Sequence, residues 1–244
     1  MSSAVLLEVR KVVKRFGGLV AINGVSFDVH EHEVLGLIGP NGSGKTTMMN
    51  LISGALPATD GYIAMDDKLL TDLPTRKIAR AGIARTFQLV KVIPSMTVLE
   101  NVMAGAVFGH KKLWGHALAV YAERQLERVG LFGVSHKPTA DLTYIDQKRV
   151  ELARALASDP KVILLDEWLA GLNPTELQTG IELIRSLRDD GRTVILVEHV
   201  MDAIRSLCDR CVVMSTGNII AQGTPADVLA DPQVIEAYLG EDYE

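Results

Sequence analysis

The segment Gly39-Pro40-Asn41-Gly42-Ser43-Gly44-Lys45-Thr46-Thr47 constrains this chain more than any other. It fits the pattern G-x-x-x-x-G-K-[ST]. It also stands where that pattern has physical meaning, directly after the apolar run Val34–Ile38 and before a helix expected from about Lys45 to Ser53. Glycines let backbone N–H groups turn inward around phosphate oxygens, and the helix N-terminus adds positive partial charge. In that frame Lys45 reaches the β- and γ-phosphates of a nucleoside triphosphate, and the Thr46 hydroxyl ligates Mg²⁺. The alternative is a glycine-rich loop with a chance Lys-Thr, and the strand–loop–helix context weighs against it.

The rest of the chain is patterned to support such a loop. Strands are expected at Leu6–Val13, Val25–Val29 and Tyr62–Met65, with Asn23-Gly24 as turn chemistry before the second. Pro74–Ala81 reads as helical and Ile83–Phe87 as extended. From about residue 88 to 156 apolar residues recur at helical spacing, in Val98–Phe108, Leu118–Val129 and Val150–Leu156. Strand and helix then alternate: Val162–Leu165, Pro174–Arg188, Thr193–Val197 and Val200–Leu207. A hairpin of Cys211–Met214 and Ile219–Ala221 follows, then short helices at Pro225–Ala230 and Pro232–Tyr238. This alternation implies an α/β fold with a mostly parallel sheet, an antiparallel β part and an inserted helical lobe. The expected partition is a core of residues 1–87 and 157–244 with a lobe of residues 88–156.

Composition narrows the function classes. A chain of 244 residues holds one large domain or two small ones. Its net charge of −5 and 5% aromatic content lack the basic footprint and stacking surface of a nucleic-acid binder. No apolar run reaches the ~20 residues that span a bilayer, and no basic start precedes an apolar core, so neither a span nor a signal peptide is expected. The mean hydropathy of +0.18 leaves room for a buried interface. The cysteines are Cys208 and Cys211, which favours a reducing cytoplasm over a disulfide scaffold. Their C-x-x-C spacing admits a redox or metal reading. No second pair and no nearby His supports it, and Cys211-Val-Val-Met214 reads as a buried strand.

Two further strand ends carry chemistry. Val162-Ile-Leu-Leu-Asp166-Glu167 is an apolar run that delivers two carboxylates. Asp166 is placed to hold Mg²⁺ through water, and Glu167 to act as general base on an attacking water. Alone, the pair reads equally well as a solvated strand end. Thr193–Val197 delivers Glu198-His199. A His there can bond a γ-phosphate, though a lone His is more often structural.

These pieces in this order resemble the ATP-binding subunit of an ABC transporter, over nearly the whole chain. Phe16-Gly-Gly-Leu-Val-Ala-Ile22, Ala84-Arg-Thr-Phe-Gln88, Ser95-Met-Thr-Val-Leu-Glu-Asn-Val102 and Ala237-Tyr-Leu-Gly240 are most similar to the ATPases of branched-chain amino acid importers. The resemblance implies a P-loop NTPase (RecA-like) core, ATP and Mg²⁺ as cofactors, and ATP hydrolysis. It implies that Phe16 stacks on adenine, the alternative being an apolar strand end. It implies that Gln88 senses Mg²⁺ and the γ-phosphate, and that His199 is the switch histidine. Ala170-Gly-Leu-Asn173 matches the segment in which relatives usually carry Asp. The implied partners are a second ATPase subunit packed head to tail, membrane permease subunits that meet Val92–Asn101, and, indirectly, a solute-binding protein. The implied location is peripheral, on the cytoplasmic face of the inner membrane.

The chain departs from that pattern in three places. The family's signature, usually Leu-Ser-Gly-Gly-Gln, reads Leu142-Thr143-Tyr144-Ile145-Asp146 here. Thr143 keeps a hydroxyl for a γ-phosphate. Ile145 replaces a glycine and is strained if its φ is positive. Asp146 caps a helix well but repels phosphate. Pairing with a different subunit that has an intact signature, a weakened ATPase, and a shifted local register are competing explanations. A weakened ATPase would leave an ATP-gated assembly module with little hydrolysis. Trp168 replaces a usual Pro and adds bulk beside Glu167, or packs harmlessly. His32 replaces a usual Gly at what reads as a surface turn.

Overall fold

The computed structural model describes residues 4–109 and 111–239, so Gly240 of the Ala237-Tyr-Leu-Gly ending lies outside the described residues. The chain forms two compact units, Met1–Ile78 with Leu169–Glu244, and Ala79–Trp168. The first unit begins with β1 (Val5–Phe16), β2 (Leu19–His30), β3 (Val34–Ile38), α1 (Lys45–Ile52), β4 (Asp60–Met65) and β5 (Lys68–Leu69). Helix α2 (Thr75–Ala81) leads into the second unit, made of β6 (Ile83–Arg85), α3 (Val98–Phe108), α4 (Gly115–Arg128), α5 (Tyr144–Ala157) and β7 (Val162–Asp166). The chain returns through α6 (Pro174–Asp189), β8 (Thr193–Val197), α7 (Met201–Leu207), β9 (Arg210–Ser215), β10 (Asn218–Gly223), α8 (Pro225–Ala230) and α9 (Pro232–Leu239).

In the first unit an antiparallel sheet runs in the order β2-β1-β4-β5. The first two strands are longer than their apolar patterns suggest. The alternation that buries Leu7 and Val9 slips between Val9 and Val12, where Lys11 takes a φ of 46°. This irregularity lets β1 run on to Phe16. Asn23-Gly24, read above as a turn, instead lies within β2, where the pairing shifts register opposite Val12 and Lys14. Asn23 N–H donates to Gly217 O at 2.9 Å, which satisfies a donor that the shifted ladder leaves over.

The other sheet of this unit runs β10-β9-β3-β8, and β3 lies parallel to both β8 and β9. Every residue of β3 and β8 is buried. Continuous apolar sequence of this kind is what a parallel strand covered on both faces requires. Cys211 lies buried in β9, as its strand-like neighbours suggest, and Cys208 ends α7.

In the second unit β6 and β7 pair in parallel, Ile83 opposite Val162. Helix α3 starts at a reciprocal cap between Thr97 and Glu100, and α5 starts where the Thr143 side chain accepts from Asp146 N–H. This compact unit is wider than the expected lobe of residues 88–156 because it includes both strands. Among the described residues, no helix is long and apolar enough to cross a membrane.

Helices α3 and α5 meet closely at Gly105, where an added Cβ would lie 2.1 Å from Arg154 O. Backbone cannot give way as a flexible side chain would. Gly105→Ala should therefore lower stability by about 1–3 kcal/mol, read as a lower midpoint in urea unfolding. Gly18→Ala, which enters open space, should leave the midpoint nearly unchanged.

Candidate nucleotide site

The phosphate-loop segment leaves β3 at Gly39, whose φ is 144° and whose added Cβ would stand 2.0 Å from Met214 O of β9. It enters α1 at Gly44, whose φ is 107° and whose Cβ would stand 2.9 Å from Ala21 O. Both ends of the loop thus press against backbone, and each adopts a conformation that disfavours side chains. Gly217 N–H donates to Ser43 O at 3.0 Å and pins the middle of the loop to the β9–β10 turn.

Lys45 is buried, and its Nζ donates to Gly39 O at 2.6 Å and Pro40 O at 2.7 Å. The buried Ser43 Oγ has no hydrogen-bond partner among the described residues. A glycine-walled loop at a helix N-terminus, a buried ammonium and an unmatched hydroxyl suit a polyphosphate. Asn41 and Gly42 are exposed at the tip, Thr46 is exposed in the first turn of α1, and Thr47 is half-buried beside it.

The remaining residues of this unit sit at strand ends. Phe16 ends β1 with 45% of its surface exposed, and Lys14 Nζ lies 5.0 Å from its ring centre. His199 is exposed just after β8. Its neighbour Glu198 is buried, with Oε1 accepting from Leu169 N–H at 2.6 Å. Asn173 caps α6 reciprocally with Glu176, so its side chain is committed to the helix start. His32 takes a φ of 63° in a turn, with Nδ1 2.7 Å from Gly191 O, in keeping with a surface-turn role.

The second unit brings the other candidates together. Asp166 ends β7, 2% exposed, and forms a 2.8 Å ion pair with Arg85 at the end of β6. Glu167 follows with a φ of 49°, a strained value for a residue with a side chain, and its Oε2 accepts from Gln88 Nε2 at 2.6 Å. Proline at position 168 would restrict the backbone of Glu167, and Trp168 lifts that restriction. Trp168 is 2% exposed, its Nε1 donates to Lys148 O at 3.4 Å, and Lys148 Nζ donates to Trp168 O at 3.1 Å. Its bulk is therefore absorbed by α5.

The segment carrying Gln88 is clipped to α5. Glu151 accepts from Phe87 N–H at 3.2 Å and Lys91 N–H at 2.9 Å, and Arg154 donates to Lys91 O. Burial raises the pKa of Glu151, against the pull of those two N–H donors. Tyr144 OH donates to Gln88 O at 3.4 Å.

At the start of α5, Thr143 Oγ1 donates to Asp146 Oδ2 at 3.0 Å, and Arg149 Nη1 lies 3.2 Å from Asp146 Oδ1. Ile145 lies in the first turn of α5 and is not among the residues with positive φ, so the strain considered from sequence is absent. What remains is its side-chain bulk and the Asp146 charge.

Four residues with structural weight here escaped the sequence reading. Arg85 and Lys148 look like ordinary surface cations in sequence. Glu151 looks like the polar face of a helix. Glu198 stands beside the more conspicuous His199, although a carboxylate directly after four apolar residues is a usable signal. Among the described residues there is no cluster of three or more His, Cys, Asp or Glu for a metal. Mg²⁺ held by a carboxylate, a hydroxyl and substrate phosphates does not need one.

Comparison with known proteins agrees with this geometry. Residues 22–170 match the family model described as ABC transporter, and residues 218–244 match that of the branched-chain amino acid ATP-binding cassette transporter. The chain is 40% identical to the high-affinity branched-chain amino acid transport ATP-binding protein LivG of Salmonella typhimurium, over 97% of this chain and 98% of the relative. It is likewise 40% identical to BraF of Pseudomonas aeruginosa, with the same coverage. Among solved structures it resembles a nucleotide-free ATP-binding cassette from an ABC transporter, at 33% identity and a TM-score of 0.88, covering 96% of this chain and 99% of that one. It also resembles a dimeric cassette bound to ADP and phosphate, at 27% identity and a TM-score of 0.82, covering 90% of this chain and 99% of that one. A match over more than half of the chain and near-full-length identity of this size lead to one conclusion: this is a transport ATPase with the P-loop NTPase fold, an ATP-binding cassette that belongs to the ABC transporter family.

Proposed function

We propose that this chain binds and hydrolyses ATP to power an importer of branched-chain or related amino acids, the solute class named for its curated relatives. The observation that carries the nucleotide part is the glycine-walled loop, with Lys45 buried inside it and Ser43 Oγ left over. ATP phosphates replace the Gly39 and Pro40 carbonyls as partners of Lys45, and Phe16 stacks on adenine. Pro40, Asn41, Gly42, Gly44 and Thr47 shape the backbone cradle. Thr46, Asp166 and Gln88 would hold Mg²⁺, which would supply positive charge to the phosphates. Glu167 accepts a proton from water as the water oxygen bonds to the γ-phosphorus. The bond from that phosphorus to the bridging oxygen breaks, and ADP and phosphate leave. His199 bonds the γ-phosphate. Gln88, now held by Glu167, is the group that reports nucleotide to the helical lobe.

The chain works beside a second ATPase subunit packed head to tail and docks on permease subunits through residues 92–101. It sits peripherally on the cytoplasmic face of the inner membrane, and a solute-binding protein serves the permease. Its own signature is poorly suited to a partner's ATP. Thr143 and Arg149 both engage Asp146, so the helix start already carries a carboxylate where a γ-phosphate would approach. Pairing with a different subunit that has an intact signature accounts for this. ATP on this chain's loop then meets a good signature, and ATP on the partner's loop meets a poor one. The same carboxylate supports a second reading, an ATP-gated assembly module with little turnover.

Lys45→Ala should weaken ATP binding by about 10–100-fold, the worth of a charge-assisted hydrogen bond, in a fluorescent-nucleotide titration. Glu167→Gln should keep ATP binding and lower Mg²⁺-dependent phosphate release by about 10²–10⁴-fold in the complex with its partner subunits. Wild-type phosphate release that Glu167→Gln leaves intact would remove Glu167 from the mechanism. The double change Ile145→Gly with Asp146→Gln should raise turnover of the complex, while the helix loses about 0.3–1 kcal/mol of favourable charge at its start. Unchanged turnover would count against the role given to Asp146.

A further inference from the structure

Two thiols lie outside this chemistry. Cys208 ends α7, and Cys211 lies in β9 opposite Gly36 of β3. Both are buried and free. A Cβ on Gly36 would stand 2.9 Å from Cys208 Sγ and 3.0 Å from Cys211 Sγ, so the missing side chain is the space that both sulfurs share. The Cys208 thiol donates to Cys211, which lowers the Cys211 pKa and raises that of Cys208, and Arg210 favours the Cys211 thiolate further. Cys208 also lines an open cavity of about 590 Å³, together with Arg205, Thr224, Pro225 and Leu229. Cys208 is 8% exposed there and Cys211 lies fully buried behind it, so a small solute in that cavity meets the Cys208 sulfur.

The pair lies beside β3, the strand that carries the phosphate loop. β9 and β3 run side by side from Cys211 opposite Gly36 to Val213 opposite Ile38. The next residue, Met214, supplies the carbonyl against which Gly39 is pressed. Cys211 is thus joined to the wall of the loop by three residues of one strand.

We propose that Cys208 and Cys211 form a reversible dithiol–disulfide site, oxidised by a small peroxide, whose closure draws β9 inward and weakens nucleotide binding at the loop. The proton that the two sulfurs share passes to Cys211, and the Cys208 sulfur attacks one oxygen of hydrogen peroxide and becomes a sulfenic acid, while the other oxygen leaves as water after taking a proton. The Cys211 sulfur then gives up its proton and bonds to the Cys208 sulfur, and the sulfenic oxygen leaves with that proton as a second water. Both sulfurs together lose two electrons, and one peroxide gains them. The functional half of the proposal rests on the nucleotide reading above, whereas the chemical half does not.

The test uses the full chain, reduced and then treated with a small excess of hydrogen peroxide. Thiols are counted by alkylation and mass spectrometry, and ATP affinity is titrated before and after. The expected result is an intrachain disulfide, no alkylable thiol, and an ATP Kd raised about fivefold or more, reversed by dithiothreitol. Cys208→Ser and Cys211→Ser should each abolish the sensitivity, and the wild-type measurement stands even if a variant folds poorly. Thiols that remain alkylable, or that pass to sulfinic acid without a disulfide, would overturn the site. A disulfide with unchanged ATP Kd would overturn its coupling to the loop. Reduced protein that binds no ATP would instead count against the nucleotide reading, and the thiol count would still judge the dithiol.

Discussion

The contact on which the nucleotide unit depends is the one between Gly39 and the Met214 carbonyl. Only a residue without a Cβ can turn there, with a φ of 144° and backbone 2.0 Å from where a Cβ would be. That turn sets where Lys45 enters α1. It also sets which carbonyls, those of Gly39 and Pro40, receive the ammonium. A buried ammonium is costly unless hydrogen-bonded, and these two carbonyls meet that need for Lys45. The loop's own backbone thus holds its turn, which preorganises it for the phosphate ligand proposed above.

The second unit holds its carboxylates in a different way. Asp166 is balanced by Arg85, and Glu167 is held by Gln88 in a strained backbone conformation. Glu151 fastens the Gln88 segment to α5, the helix that also carries the divergent signature. Motion of α5 therefore moves the backbone around Gln88 directly. This supports the proposed role of Gln88 as the link between nucleotide and helical lobe, since a two-state element needs such a physical connection.

Much of this was legible in the sequence, for identifiable reasons. Strands β3, β7 and β8 are short, apolar and bounded by polar residues, so their ends, and with them Lys45, Asp166 and His199, could be placed within a residue or so. The β1 and β2 lengths were not legible, because the apolar alternation of β1 fades after Val13 while its pairing runs on to Phe16, and the Asn23-Gly24 pair imitates a strand end. The strain suspected at Ile145 dissolved because the residue is helical. The partners of Asp166, Glu167 and Gln88 stayed hidden. Arg85, Lys148 and Glu151 act through contacts that no local spacing encodes, and charged residues on a helix or strand end normally read as solvated.

The proposed pairing is asymmetric, with a nucleotide loop and a signature already engaged by its own Asp146 within one chain. Two identical copies should then fail to trap ATP between them, since neither offers a receptive signature. The direct measurement is sedimentation of the isolated Glu167→Gln chain with Mg²⁺ and saturating ATP. Asymmetric pairing predicts a monomer that binds ATP, and dimerisation only when a subunit with an intact signature is added. A stable ATP-dependent homodimer would contradict it.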